Sequence, residues 1–147
     1  MKTSLNDAAS AINLQLLPER LSIYRFEPSF PVAELPRFTG VWSITRTRRE
    51  LSVVAPEGSC PGADHEDPGW RCLYLAGPIP FNLTGVVSGL TSVIAAQGLP
   101  VFVLSTFDSD LLLLRGDSLN QSLQALDRHG HVVHLEELPA ARRQPDN

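Results

Sequence analysis

Between Phe81 and Leu114 the chain sets a glycine, Gly85, at the start of an apolar helical stretch. The polar turn Ser105-Thr106-Phe107-Asp108-Ser109-Asp110 follows downstream. Two complementary chemistries meet in that arrangement. Backbone amides at a helix start carry partial positive charge and suit a carboxylate. The Asp110 carboxylate, with the carbonyls of Thr106 and Phe107, supplies acceptors for an ammonium or guanidinium group. Gly85 leaves the approach free of a side chain, and Val86, Val87 and Leu99 give apolar walls of the kind that line small-molecule pockets. A small zwitterion needs this pairing, so these residues point to binding rather than catalysis.

Other constellations carry less. Ser105 with His131 or His134 has no G-x-S-x-G elbow and no base placed beside it. Strand alternation sends His131 and His134 to opposite faces, which separates them as metal ligands. Cys60, Cys72 and His65 lack CxxC or HxxxH spacing. No catalytic residue, metal site or cofactor is expected. Asn82-Leu83-Thr84 matches a glycosylation acceptor, which means little without a secretory leader, and Asp108 reads as turn chemistry.

The 147 residues suffice for one compact domain or two small modules sharing a core, and 43% are hydrophobic. A net charge of -4 argues against nucleic acid as a partner. Arg46, Arg48 and Arg49 read as a solvated hairpin turn. No apolar run is long enough for a bilayer, and Met1 to Asn13 lacks the apolar stretch of a secretory signal. A cytoplasmic protein with reduced thiols at Cys60 and Cys72 is expected.

The elements that must position the site alternate in type. Residues 1–13 are a polar lead. Residues 14–56 hold strands at Leu21–Phe26, Gly40–Thr45 and Glu50–Ala55, with at most a short helix between Pro28 and Pro36. Residues 57–69, rich in Pro, Gly and acids, read as a linker. Residues 70–136 begin with a strand over Trp70–Ala76. An amphipathic helix follows, with Val86, Val87, Leu90, Val93 and Ile94 on one face, Asn82 or Thr84 as its cap and Gly98 as its stop. Strands over Val101–Ser105 and Asp110–Arg115 come next. Ser118 to Gln121 then forms a capping-box pattern opening a helix with Leu119, Leu123 and Leu126 inward. Gly130 closes that helix before a strand over His131–Leu135. Residues 137–147 are a polar tail. The fold class is α+β: a ferredoxin-like βαββαβ module preceded by a shortened βαββ copy, which suggests two small sheets side by side.

Gly85-Val86-Val87, Leu99-Pro100-Val101-Phe102 and the Ser105–Asp110 turn, with Glu50–Pro56 and Gly69-Trp70-Arg71, carry a resemblance. From about Leu14 to Leu135 the chain resembles the ACT family, which binds amino acids to regulate proteins. More narrowly, it is similar to the branch of small bacterial ACT proteins related to the CASTOR arginine sensor. The resemblance implies an ACT module over 70–136 and a shortened ACT-like module over 14–56. It also implies a homodimer that holds an amino acid or similar small metabolite at its interface and regulates a further protein. Gly85, Val86, Val87, Thr106, Phe107 and Asp110 would come from one subunit, and Leu99, Pro100 and Val101 from the other. Pro100 departs from the arginine-sensing pattern, which has a serine there; proline offers neither a hydroxyl nor an N–H. Two other functions compete: a ligand-free dimerisation or partner-docking module, and a nucleic-acid binder, which the acidic charge and the missing aromatic motif disfavour.

Overall fold

The computed structural model describes residues 12–75 and 85–136. Seven strands and two helices follow in the order β1 (Asn13–Phe26), β2 (Ser43–Arg46), β3 (Leu51–Pro56), β4 (His65–Leu75), α1 (Val86–Ala95), β5 (Val101–Ser105), β6 (Asp110–Arg115), α2 (Leu119–Arg128) and β7 (Val132–Leu135). The mixed α+β class and the βαββαβ order from β4 to β7 agree with the sequence. The strands form one continuous sheet, ordered β2-β3-β1-β4-β6-β5, with β7 attached to β1. Two separate sheets are not formed, because β1 runs through both halves.

Strand β1 is fourteen residues long, where the sequence suggested six. Leu14, Leu16 and Leu17 belong to it and are buried. Pro18 and two charged residues disguise the continuity, since they break the alternation that marks a strand. They sit where the register against β4 shifts, between Leu16 and Arg20. A bulge tolerates a proline, which has no N–H to give to a ladder. Before the bulge β1 pairs in parallel with β7, from Asn13↔Val132 to Leu16↔Leu135. After it, β1 pairs antiparallel with β3, from Leu21↔Pro56 to Phe26↔Leu51.

The stretch read as a linker is strand from His65 onward, a correction with a clear cause. Ser22 lies opposite a second register shift, and β4 accommodates it with Pro68 and Gly69, the glycine at φ 84°. The acidic side chains there are engaged rather than merely solvated. Glu66 Oε1 accepts from Ser22 Oγ at 2.8 Å and from the Gly58 N–H at 3.0 Å. Those donors, the Gly58 amide foremost, hold the Glu66 carboxyl below the usual carboxylate range.

Three apolar clusters divide the sheet. Leu112 and Leu114 face α1 and α2, packing with Leu14, Leu73, Leu90, Ile94 and Leu126. Leu111 and Leu113 face the other way, among Leu17, Leu21, Val54, Trp70 and Cys72. Covered on both sides, β6 can be an unbroken run of leucine. The third cluster lies under residues 27–42, where Phe30, Leu35 and Phe38 cover Tyr24, Phe26, Leu51 and Val53. Prolines limit that cover to a three-residue 3-10 turn, Val32–Glu34. Arg46 donates to the carbonyls of Pro28 and Phe30, so it fastens the cover rather than only facing solvent. The capping box is not used: Ser118 makes no cap bond, and a 3-10 turn over Gly116–Ser118 leads directly into α2. Among the described residues no helix is long and apolar enough to cross a membrane.

Both cysteines are free and buried. Burial pushes the Cys72 thiol up to about 12, with the Glu19 charge adding to it. We expect Cys72 to resist thiol reagents at pH 8 in the folded protein and to react only on unfolding. Labelling of Cys72 in native buffer, read by mass spectrometry, would contradict this.

His131, 8% exposed, accepts the Ile12 N–H on Nδ1 at 3.3 Å and so ties the entry of β1 to the end of α2. Burial, reinforced by His129, lowers its pKa from the ordinary 6.5. Above pH 6.5 the imidazole is neutral in both states and its contribution is complete. As the pH falls below that value the unfolded chain gains its proton first, so stability drops until the depressed folded value is passed. His131→Asn keeps an acceptor without titrating; its urea midpoint should fall less than the wild type's between pH 7.5 and 5.5. Equal losses in the two proteins would exclude the effect.

Candidate functional site

Helix α1 begins at Gly85, whose φ of 86° is open to glycine at little cost. Among the described residues, a Cβ there would meet nothing within 4 Å. The first intrahelical bond runs from the Gly89 N–H to the Gly85 carbonyl at 2.8 Å. The amides of Val86, Val87 and Ser88 therefore precede the ladder, as at any helix start. The side chains of Val86 and Val87 turn inward and pack half-buried against the helix-side core. The proposed caps, Asn82 and Thr84, lie outside the described residues.

The turn between β5 and β6 is held by its own polar groups. Thr106 N–H donates to the Ser109 carbonyl at 2.8 Å, and Thr106 Oγ1 accepts the Ser109 N–H at 3.1 Å. Thr106 Oγ1 and Ser109 Oγ lie 2.7 Å apart. This clasp presents Phe107 at the tip, 80% exposed. Asp110 pairs across the strands with Ser105, whose hydroxyl donates to Asp110 Oδ1 at 2.6 Å. Ser105 thus orients the carboxylate, a role that sequence reasoning missed. The signal was the spacing itself: residues i and i+5 about a four-residue turn face each other across a hairpin.

Topology divides the nine candidate residues into two groups. Thr106, Phe107 and Asp110 share one hairpin. Residues 96–100 carry the chain from the end of α1 to the start of β5, so α1 begins near the far end of β5, where that hairpin lies. Gly85, Val86 and Val87 therefore belong to the same end of the sheet as Asp110. Leu99, Pro100 and Val101 do not. Val101 pairs with Leu114 while Ser105 pairs with Asp110, and four residues of strand span roughly 13 Å. Leu99 and Val101 pack half-buried against the helix-side core, and Pro100 is exposed. Strand β5 is also the sheet's edge.

Comparison with known proteins gives this architecture a setting. A family model for the ACT domain matches residues 66–128. The crystal structure of protein Atu0741 from Agrobacterium tumefaciens is similar at 35% identity and a TM-score of 0.81, over 88% of this chain and 96% of that one. The Vibrio cholerae protein of unknown function VC0802 shares the fold at 14% identity and a TM-score of 0.66, over 80% of this chain and 89% of that one. So does the regulatory subunit of aspartate kinase from Thermus flavus, at 11% identity and a TM-score of 0.58, over 82% of this chain and 97% of that one. No match was found among curated proteins. The matched ACT segment takes in β4 through α2, the elements that carry Gly85 and Asp110. Residues 66–128 of the chain thus match the ACT domain family.

Proposed function

We propose that this protein is a non-enzymatic regulator that binds an amino acid or similar small metabolite between two copies of itself. The observation that carries the reading is the division along β5. Donors at the Gly85 helix start and the Asp110 acceptor occupy one end of the sheet, and the Leu99–Val101 corner occupies the other. Two copies related by a two-fold axis along their β5 edges would set the corner of one beside the hairpin of its partner. The ligand's carboxylate would meet the amides of Val86 and Val87. Its ammonium would meet the Asp110 oxygen that Ser105 leaves free. Occupancy reaches a regulated protein if the ligand favours one dimer arrangement over another, since only differential affinity shifts an equilibrium. Buried free thiols fit a reducing, cytoplasmic setting. Pro100 sets the chain apart from arginine sensing within the CASTOR-related branch, because the corner lacks a hydroxyl.

A second reading, a ligand-free dimerisation or docking module, draws on a different observation. Phe107 at 80% exposure and Val103 at 39% make the β5 end apolar enough for a protein contact.

A thermal-shift panel of the twenty amino acids decides between them. A ligand at a hundredfold excess over its Kd should stabilise the protein by about 2.7 kcal/mol, and Asp110→Ala should abolish that response while folding normally. Full affinity in Asp110→Ala would remove the assignment. A dimer that answers to no ligand would favour docking instead.

The interface makes its own demand. Charges on an edge strand oppose pairing, so Val103→Lys should weaken self-association by about tenfold or more, equivalent to ~1.4 kcal/mol. Sedimentation velocity over a concentration series measures it. A wild-type protein that stays monomeric, with or without ligand, would refute the two-copy site.

A further inference from the structure

A cavity of about 300 Å³ lies at the opposite end of β6 from Asp110, lined by Arg20, Gly69, Trp70, Arg71, Arg115, Gly116 and Asp117. Three arginines from three neighbouring strands line it, on a chain whose net charge is -4. Arg20 and Arg71 stand directly opposite each other across β1 and β4. Like charges so placed oppose folding, and neither has an ion-pair partner among the described residues. Among the described residues Arg71 donates one side-chain bond, from Nη2 to the Leu17 carbonyl at 3.1 Å, and its buried Nε has no partner there. A buried donor left unmade is costly in a native structure.

The third arginine is held in place. Arg115 Nη1 binds Asp67 Oδ1 at 3.1 Å, and its guanidinium lies 4.8 Å from the centre of the Trp70 ring. Trp70 Nε1 donates to Asp67 Oδ2 at 3.3 Å, completing a rigid wall. Gly116 lets the wall close: a Cβ there would stand 3.2 Å from the Gly69 carbonyl and 3.6 Å from Arg71 Cγ. The lining itself holds three arginines against the one carboxylate of Asp117; beside it, Asp67 pairs with Arg115 and Glu57 Oε1 accepts the Gly69 N–H at 2.8 Å. Arginine forks match the paired oxygens of phosphate and carboxylate groups.

We infer that this cavity is a second ligand site, separate from the Gly85–Asp110 site, that takes a small doubly charged oxyanion. Arg20 and Arg71 bind the anion, and Arg115 stacked on Trp70 forms the back wall. The site is complete within one chain, so it does not depend on the two-copy arrangement proposed above. It sits about 17 Å along β6 from Asp110, five residues away.

The chain's two tryptophans are Trp42 and Trp70, so Trp42→Phe makes Trp70 the reporter. Inorganic phosphate and succinate are titrated separately into this 147-residue chain, with potassium chloride at matched ionic strength as the control. Trp70 fluorescence should change saturably with one dianion, and the stronger of the two identifies a phosphate or a dicarboxylate site. Arg20 is exposed and has no side-chain hydrogen bond or ion pair among the described residues, so Arg20→Glu should fold and weaken that binding by about tenfold or more. Asp110→Ala should leave it unchanged, which separates this site from the amino-acid site. A response reproduced by chloride, no saturation at tens of millimolar, or undiminished affinity in Arg20→Glu would overturn the proposal.

Discussion

The molecule depends on a single strand that serves two halves. The first part of β1 lies between β7 and β4, and its second part lies between β3 and β4. One chain segment thus supplies ladder bonds to three neighbours, and neither half can complete its sheet without it. Strand alternation lets it serve two cores: Leu14 and Leu16 reach the helix-side core while Leu17 and Leu21 reach the opposite cluster. The bulge around Pro18 accommodates a residue with no N–H to give to the ladder.

That arrangement carries over to the candidate site through β6. Leu111 to Leu114 are all buried, alternating between two cores, so the strand cannot slide or turn without exposing leucine to water. Asp110 stands at its start and Arg115 at its end, and the rigidity of the leucines between them fixes both. Ser105 then sets the carboxylate rotamer at one end, while Asp67 and Trp70 set the guanidinium at the other. Polar groups that must bind something are most effective when their own freedom has already been removed. The leucine run thus does more than fill the core.

Much of the fold was legible in the chain. The α1 stripe, the glycine stops of both helices, the hairpin about Thr106–Ser109 and the proline-limited cover over residues 27–42 all follow from local rules of periodicity, φ and turn chemistry. The candidate residues of the amino-acid site were also named from local pattern, joined to a family resemblance. The misreadings share a cause. His65 to Gly69 looked like a linker because acids, proline and glycine are poor strand formers on average. There, however, Glu66 has Ser22 and Gly58 as donors, and Pro68 falls in a bulge. Strand β1 was read as starting at Leu21 because Pro18, Glu19 and Arg20 interrupt the alternation ahead of it.

The sequence by itself determined the element types and the chemistry available at the turn and the helix start, because both depend on residues within a few positions of each other. Only the tertiary structure decided which strands are neighbours. Strand β7 joins β1 across more than a hundred residues. Leu99–Val101 and Asp110 part to opposite ends of β5, and Arg20, Arg71 and Arg115 meet around one cavity. Those outcomes rest on which apolar faces can be buried together, a property of the whole sheet that no local window contains.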